Sequence, residues 1–196
     1  MPKKQATQTD ANRIKRPLLA SALAIAATAI VAGTGPALAD TFLKLDGIEG
    51  ESTDAKHKGE IEILSFTQSW INSGSGGYGG GGGAGKVECG PVTLTKNIDK
   101  SSPALLGEVI MGRHIRDGTI TFEANNRQSA EYYSIKMTDV FVTELTQTDA
   151  ADPNRIFEKL VLNARTFEFK YQPQSIKGQI GTPVSFKFDC ATNKGT

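Results

Sequence analysis

Residues 40–66 read DTFLKLDGIEGESTDAKHKGEIEILSF. Phe42, Leu43 and Leu45 make a short apolar strand, and a second strand begins at Glu60. Between them, residues 47–59 form a polar loop bounded by glycines. It carries Glu49, Glu51, Asp54, Lys56, His57 and Lys58, with both signs of charge interleaved. Two apolar runs around a mixed-charge excursion point to a β-rich domain whose loop faces solvent or a partner.

Upstream, residues 1–39 have the order of an export signal. A polar leader ends in Arg13, Lys15 and Arg16, an apolar run covers residues 18–31, and Ala37-Leu38-Ala39 precedes Asp40. Cleavage after Ala39 is expected. The run of about 14 residues is short for a membrane span, which takes roughly 20, so stable membrane insertion after cleavage is not expected. Arg13 and Arg16 are not a twin-arginine pair, which favours general secretion. The domain expectation is therefore a leader at 1–39 and one domain at 40–196, secreted or periplasmic.

Removing five basic and one acidic residue from totals of 22 and 21 leaves 17 and 20, a net charge of about −3. Phosphate binding needs concentrated positive charge, so nucleic acid is not an expected partner. The only two cysteines, Cys89 and Cys190, both lie after the leader. In an oxidising compartment they can pair as a disulfide; the other reading is two buried thiols. Two cysteines and two histidines, His57 and His114, show no metal-ligand spacing, so neither metal nor cofactor is expected.

The rest of the chain is mostly strand. Residues 60–70 place Ile61 and Ile63 on one face and Leu64, Phe66 and Trp70 on the other, which implies a bulge or burial on both sides. Residues 72–85, NSGSGGYGGGGGAG, are a glycine-rich loop. Its end, Gly80 to Gly85-Lys86, imitates a phosphate-binding loop. Val87 stands where Ser or Thr would hold magnesium, and a strand pattern follows where a helix is required. Residues 86–96 read as the next strand.

Ser102 as N-cap, Pro103 in the first turn and Gly112 as the stop predict one short helix. Leu105, Leu106, Val109 and Ile110 form its apolar face. His114 reads as a helix-end cation. Strands follow at 117–124, 131–145 and 155–171, with Asn125-Asn126 as a turn and polar loops at 147–154 and 172–182. The apolar phase of 155–171 switches between Ala164 and Phe167, so a bulge is expected near Arg165. The last strand carries Val184, Phe186, Phe188 and Cys190 on one face. The fold class is mainly β: a compact barrel of two antiparallel sheets with one short α-helix.

No nucleophile and base converge from separate elements. Ser52, Thr53, Asp54 and His57 share one loop, so no catalytic residue is assigned.

Several stretches, in this order and spacing, resemble the haemolysin-coregulated (Hcp) family of the type VI secretion system. They are FLKLDGIEGES, HKGEIEILSF, KNIDKSSPALL, EYYSIKMTDVFVTEL, FEFKYQPQ and PVSFKFD. The resemblance implies a two-sheet barrel, homo-hexameric rings that can stack, secretion-machine components or effector cargo as partners, and no enzymatic activity. It also suggests the loop residues Glu49, Glu51, Asp54, Lys56, His57 and Lys58 as a ring or stacking surface. Deleting residues 51–58 is then expected to weaken stacking and leave the monomer folded. The leader departs from the family pattern. It leaves a second reading open: an exported binding or adhesion module on the same fold.

Overall fold

The computed structural model describes residues 40–74, 85–124, 130–149, 156–173 and 181–196. The leader, most of the glycine-rich loop, the Asn125-Asn126 turn and most of the two polar loops lie outside the described residues. In the described part, eleven strands and one helix form a nine-stranded antiparallel sheet and a two-stranded ribbon.

Strand β1 (Asp40–Leu45) pairs antiparallel with both β2 (Ile61–Ile63) and β7 (His114–Ala124). From β7 the ladders continue through β8 (Ala130–Thr148) and β9 (Phe157–Tyr171) to β10 (Val184–Asp189) and β11 (Lys194–Gly195). A branch leaves β9 through β6 (Val92–Asn97) to β3 (Ser65–Thr67). The single strand expected over 60–70 is thus split. Its first piece pairs with β1 and its second with β6, and Leu64, 54% exposed, marks the change of partner. The Leu64 N–H donates to the Thr95 carbonyl at 2.7 Å. The sheet curls into a barrel-like ring in which β2 and β6 approach without sharing a ladder, and the covalent segment 61–67 spans that gap.

Alternation fills the core. Leu43, Ile61, Val92, Leu94, Ile120, Met137, Leu160 and Leu162 are fully buried and belong to one apolar cluster. On β8 the buried parity changes after Met137: Ile135 and Met137 are buried before the change, Val140 and Val142 after it, and Phe141 is half-buried. The cause is Asp139, whose φ of 54° is left-handed. Register passes from Thr138 opposite Thr166 to Val140 opposite Ala164, leaving Asp139 and Arg165 outside it. The phase switch expected near Arg165 therefore spans both strands.

A second irregularity, between Phe122 and Glu123 of β7, leaves Tyr132 of β8 without a register partner. Both Tyr132 and Tyr133 then lie against the Phe122 ring. Burial pushes the Tyr133 phenol up.

The helix α1 runs Ser102–Met111, with Pro103 in the first turn and Gly112 closing it at φ 62°, its N–H on the Glu108 carbonyl. Ser101, not Ser102, is the N-cap, and it caps through no side-chain bond. His114 follows two residues after the helix stop. It opens β7, and its Nδ1 lies 2.7 Å from Asp139 Oδ1. Of the expected apolar helix face only Leu105 is fully buried; Leu106 and Ile110 are exposed.

The ribbon pairs β4 (Trp70–Asn72) with β5 (Val87–Cys89) and so holds both ends of the glycine-rich loop. Trp70 packs edge-on against Phe167, Phe169 and Phe188, at ring separations of 5.2, 5.5 and 5.8 Å. Such pairs contribute about 0.5–1.5 kcal/mol each beyond burial. Cys89, opposite Trp70 in the ribbon, forms a disulfide with Cys190.

Candidate functional site

The loop between β1 and β2 is folded back on itself. Gly47 and Gly59 both hold positive φ, 78° and 74°. Gly50 donates to the Gly59 carbonyl at 2.8 Å, Gly59 to Ser52 at 2.8 Å and Ser52 to Glu60 at 3.0 Å. These bonds bring the two limbs so close that a Cβ on Gly50 would lie 2.2 Å from the Glu60 carbonyl oxygen. Ile48, Ser52 and His57 are buried, while Glu49, Glu51, Lys56 and Lys58 are exposed. The six loop residues thus divide into an outer charged set and an inner set formed by Asp54 and His57.

Asp54 organises the tip. Its Oδ1 accepts the backbone N–H groups of Lys56 at 2.8 Å and His57 at 3.0 Å. Those two bonds, Lys56 first, hold the carboxyl below its ordinary value. The His57 ring lies flat on Phe42 of β1, with centroids 4.3 Å apart. Its Nδ1 is 2.8 Å from Glu60 Oε2 and its Nε2 is 3.4 Å from Glu123 Oε1 on β7. Lys56 Nζ reaches the same Glu123 oxygen at 3.2 Å. Deleting 51–58 would therefore uncover Phe42 and Glu123, so it is not a clean test of a surface role.

The outer charges meet the segment before α1. Lys100 Nζ pairs with Glu49 at 3.0 Å, and the Lys100 backbone N–H donates to Glu51 at 3.1 Å. Exposed pairs of this kind contribute little to stability, which leaves these charges available to a neighbouring surface.

Two apolar surfaces remain open. One, on α1, is Leu106, Ile110 and Met111, with Ile110 73% exposed. The other follows β9 and β10, where Tyr171, Val184 and Phe186 are exposed. The expected apolar face of the last strand is buried only at Phe188. Beside it lies an open groove of about 410 Å³ lined by Trp70, Val87, Tyr133, Phe169, Phe186 and Phe188.

A buried polar cluster fastens α1 to the barrel. Lys96 and Glu158, opposite each other on β6 and β9, are both fully buried, with Nζ and Oε2 2.7 Å apart. Ser102 donates to Glu158 at 2.6 Å, Lys96 also pairs with Asp99, and Gln147 donates to Glu158 Oε1. Burial pushes the Glu158 carboxyl up, but the hydrogen bonds from Lys96, Ser102 and Gln147 outweigh it and hold the group below its ordinary value. The parity of Val92, Leu94 and Lys96, and of Glu158, Leu160 and Leu162, already put both charges on buried faces. The sequence reading missed that signal. Full burial of the Lys96–Glu158 pair fits a structural role for the cluster.

Among the described residues no helix is long and apolar enough to cross a membrane. A family profile described as "Type VI secretion system effector, Hcp" matches residues 42–176. Protein hcp1 of Pseudomonas aeruginosa is 34% identical over 156 residues, covering 79% of this chain and 96% of that protein. A solved type six secretion system protein superposes with a TM-score of 0.74 at 26% identity, covering 81% of this chain and 99% of the other. Hcp1 from Salmonella typhimurium gives 0.67 at 28%, with the same coverage. The profile match, the curated relative and the superposed barrels agree: the chain belongs to the Hcp family of type VI secretion system proteins, structural and secreted components of that machine.

Proposed function

We propose that the chain assembles into homo-hexameric rings that can stack and carry effector cargo. The observation that carries this is the pair of unlike apolar surfaces, one on α1 and one on β9 and β10. A cyclic ring needs two different complementary faces on each subunit, and exposed apolar patches mark such contacts. The outer loop charges Glu49, Glu51 and Lys58 are suited to ring-on-ring contact, where charge complementarity sets register. The test is the native mass of the processed chain. Six subunits per particle supports the ring. A clean monomer at high concentration overturns it and favours the exported binding module.

The proposal extends to location. Residues 1–39 precede the family match, which begins at residue 42, and have the order of a cleavable leader. A disulfide on the same chain is consistent with an oxidising compartment. N-terminal sequencing of the protein recovered outside the cytoplasm is expected to begin at Asp40. An intact Met1 start there would overturn the leader.

A further inference from the structure

We propose that Asp54, His57 and Glu123 form a site for a divalent transition-metal ion of the zinc type, which fastens the charged loop to β7. One donor atom from each residue lies within 4.8 Å of the others. The chemistry is that of a zinc site: one imidazole nitrogen, two carboxylate oxygens and a fourth position for water. Bonds of about 2.0–2.2 Å in a tetrahedral arrangement set donor atoms roughly 3.3–3.6 Å apart. His57 Nε2 and Glu123 Oε1 already stand 3.4 Å apart.

The second observation is the state of the imidazole. His57 is 9% exposed, and its Nε2 makes no hydrogen bond among the described residues. A buried polar nitrogen without a hydrogen bond costs free energy, and this one faces the Glu123 carboxylate at 3.4 Å. The opposite ring nitrogen, Nδ1, is 2.8 Å from Glu60 Oε2. A proton on Nδ1 donated to that carboxylate leaves the Nε2 lone pair facing the cluster. This is the outer-sphere arrangement that orients metal-binding histidines. The stack on Phe42 fixes the ring plane.

The charge pattern agrees. Glu123 is 3% exposed, and the register places Glu131 opposite it on β8. A cation relieves that like-charge pairing. Lys56 now stands 3.2 Å from Glu123 Oε1, but its side chain is 54% exposed and can turn to solvent when a dication takes its place. The site departs from the expectation of no metal centre, because Glu123 arrives from a strand 67 residues beyond Lys56.

The test is titration of the purified full chain, stripped with chelator, with Zn²⁺ by calorimetry, and with Co²⁺ by visible absorption. One Zn²⁺ per chain is expected, with a tetrahedral Co²⁺ spectrum. His57→Ala and Glu123→Gln are expected to abolish saturable binding, with folding checked by circular dichroism. Glu60→Gln is expected to weaken binding about 10–100-fold. Lys56→Met is expected to tighten it, an effect that a purely structural ion cluster does not produce. Absence of saturable binding to the wild type, or binding unchanged in both His57→Ala and Glu123→Gln, would overturn the site.

Discussion

At the scale of single residues, the Lys96–Glu158 pair makes the sharpest demand. Lys96→Met leaves a fully buried carboxylate without its cation, and breaking such a pair costs about 3–5 kcal/mol. Urea denaturation should show that loss, and the double variant Lys96→Met/Glu158→Leu should recover part of it. The pH dependence has a definite sign. Glu158 titrates lower in the folded chain than its ordinary 4.5, so the unfolded chain takes up the proton first. Its contribution is present above that value and is lost as pH falls through the folded value. Melting temperatures between pH 6 and pH 3 are expected to fall less steeply in Glu158→Gln than in wild type. Gly50 is equally exacting. Alanine there meets the Glu60 backbone, so Gly50→Ala is expected to lower the melting temperature and disturb the loop.

At the scale of elements, the existence of the helix, the long strands and the last strand was readable from period and turn residues, although the helix fully buries only Leu105 of its apolar face and the last strand only Phe188. What was not readable arises between elements. Asp139 turns β8 through a left-handed residue, and the phase of Val140 and Val142 follows from its pairing with β9 rather than from its own pattern. The split at Leu64 likewise depends on two ladder neighbours far apart in sequence. The inner loop cluster was hidden for the same reason: Asp54 and His57 looked solvated until Glu123 and Phe42 were placed beside them. The helix face makes its own prediction. Ile110 and Met111 are 73% and 64% exposed, so with Ile110→Asp and Met111→Asp together the monomer's melting temperature is expected to stay within a few degrees of wild type. In light scattering the same variant is expected to lose the ring mass. Phe186→Asp is expected to do likewise from the other apolar surface, on β10.

At the scale of the whole molecule, the described strands pair across long sequence distances. β1 joins β7, β6 joins β9, and the disulfide joins positions 101 residues apart. Cross-linking a loop of that length stabilises by about 4.7 kcal/mol on the chain-entropy account. Reduction is therefore expected to lower the urea midpoint of the isolated chain markedly, measured with and without reductant at constant pH. The ribbon that holds the glycine-rich loop is expected to loosen first, since Trp70 would remain as its main attachment. Charge reversal at Glu49 and Glu51 is expected to change ring stacking, read as particle length in electron micrographs, and to leave the ring mass unchanged.

The position of Cys190 also bears on timing. It follows its partner Cys89 by 101 residues. In a polypeptide that emerges amino end first, Cys89 must wait as a thiol while the next hundred residues arrive. The bond then closes only after β6 to β10 have emerged, so oxidation acts as a receipt for delivery of the strands between the two cysteines. Truncated or stalled copies would carry an unspent thiol at Cys89, open to alkylation and to capture by a thiol-directed quality-control enzyme.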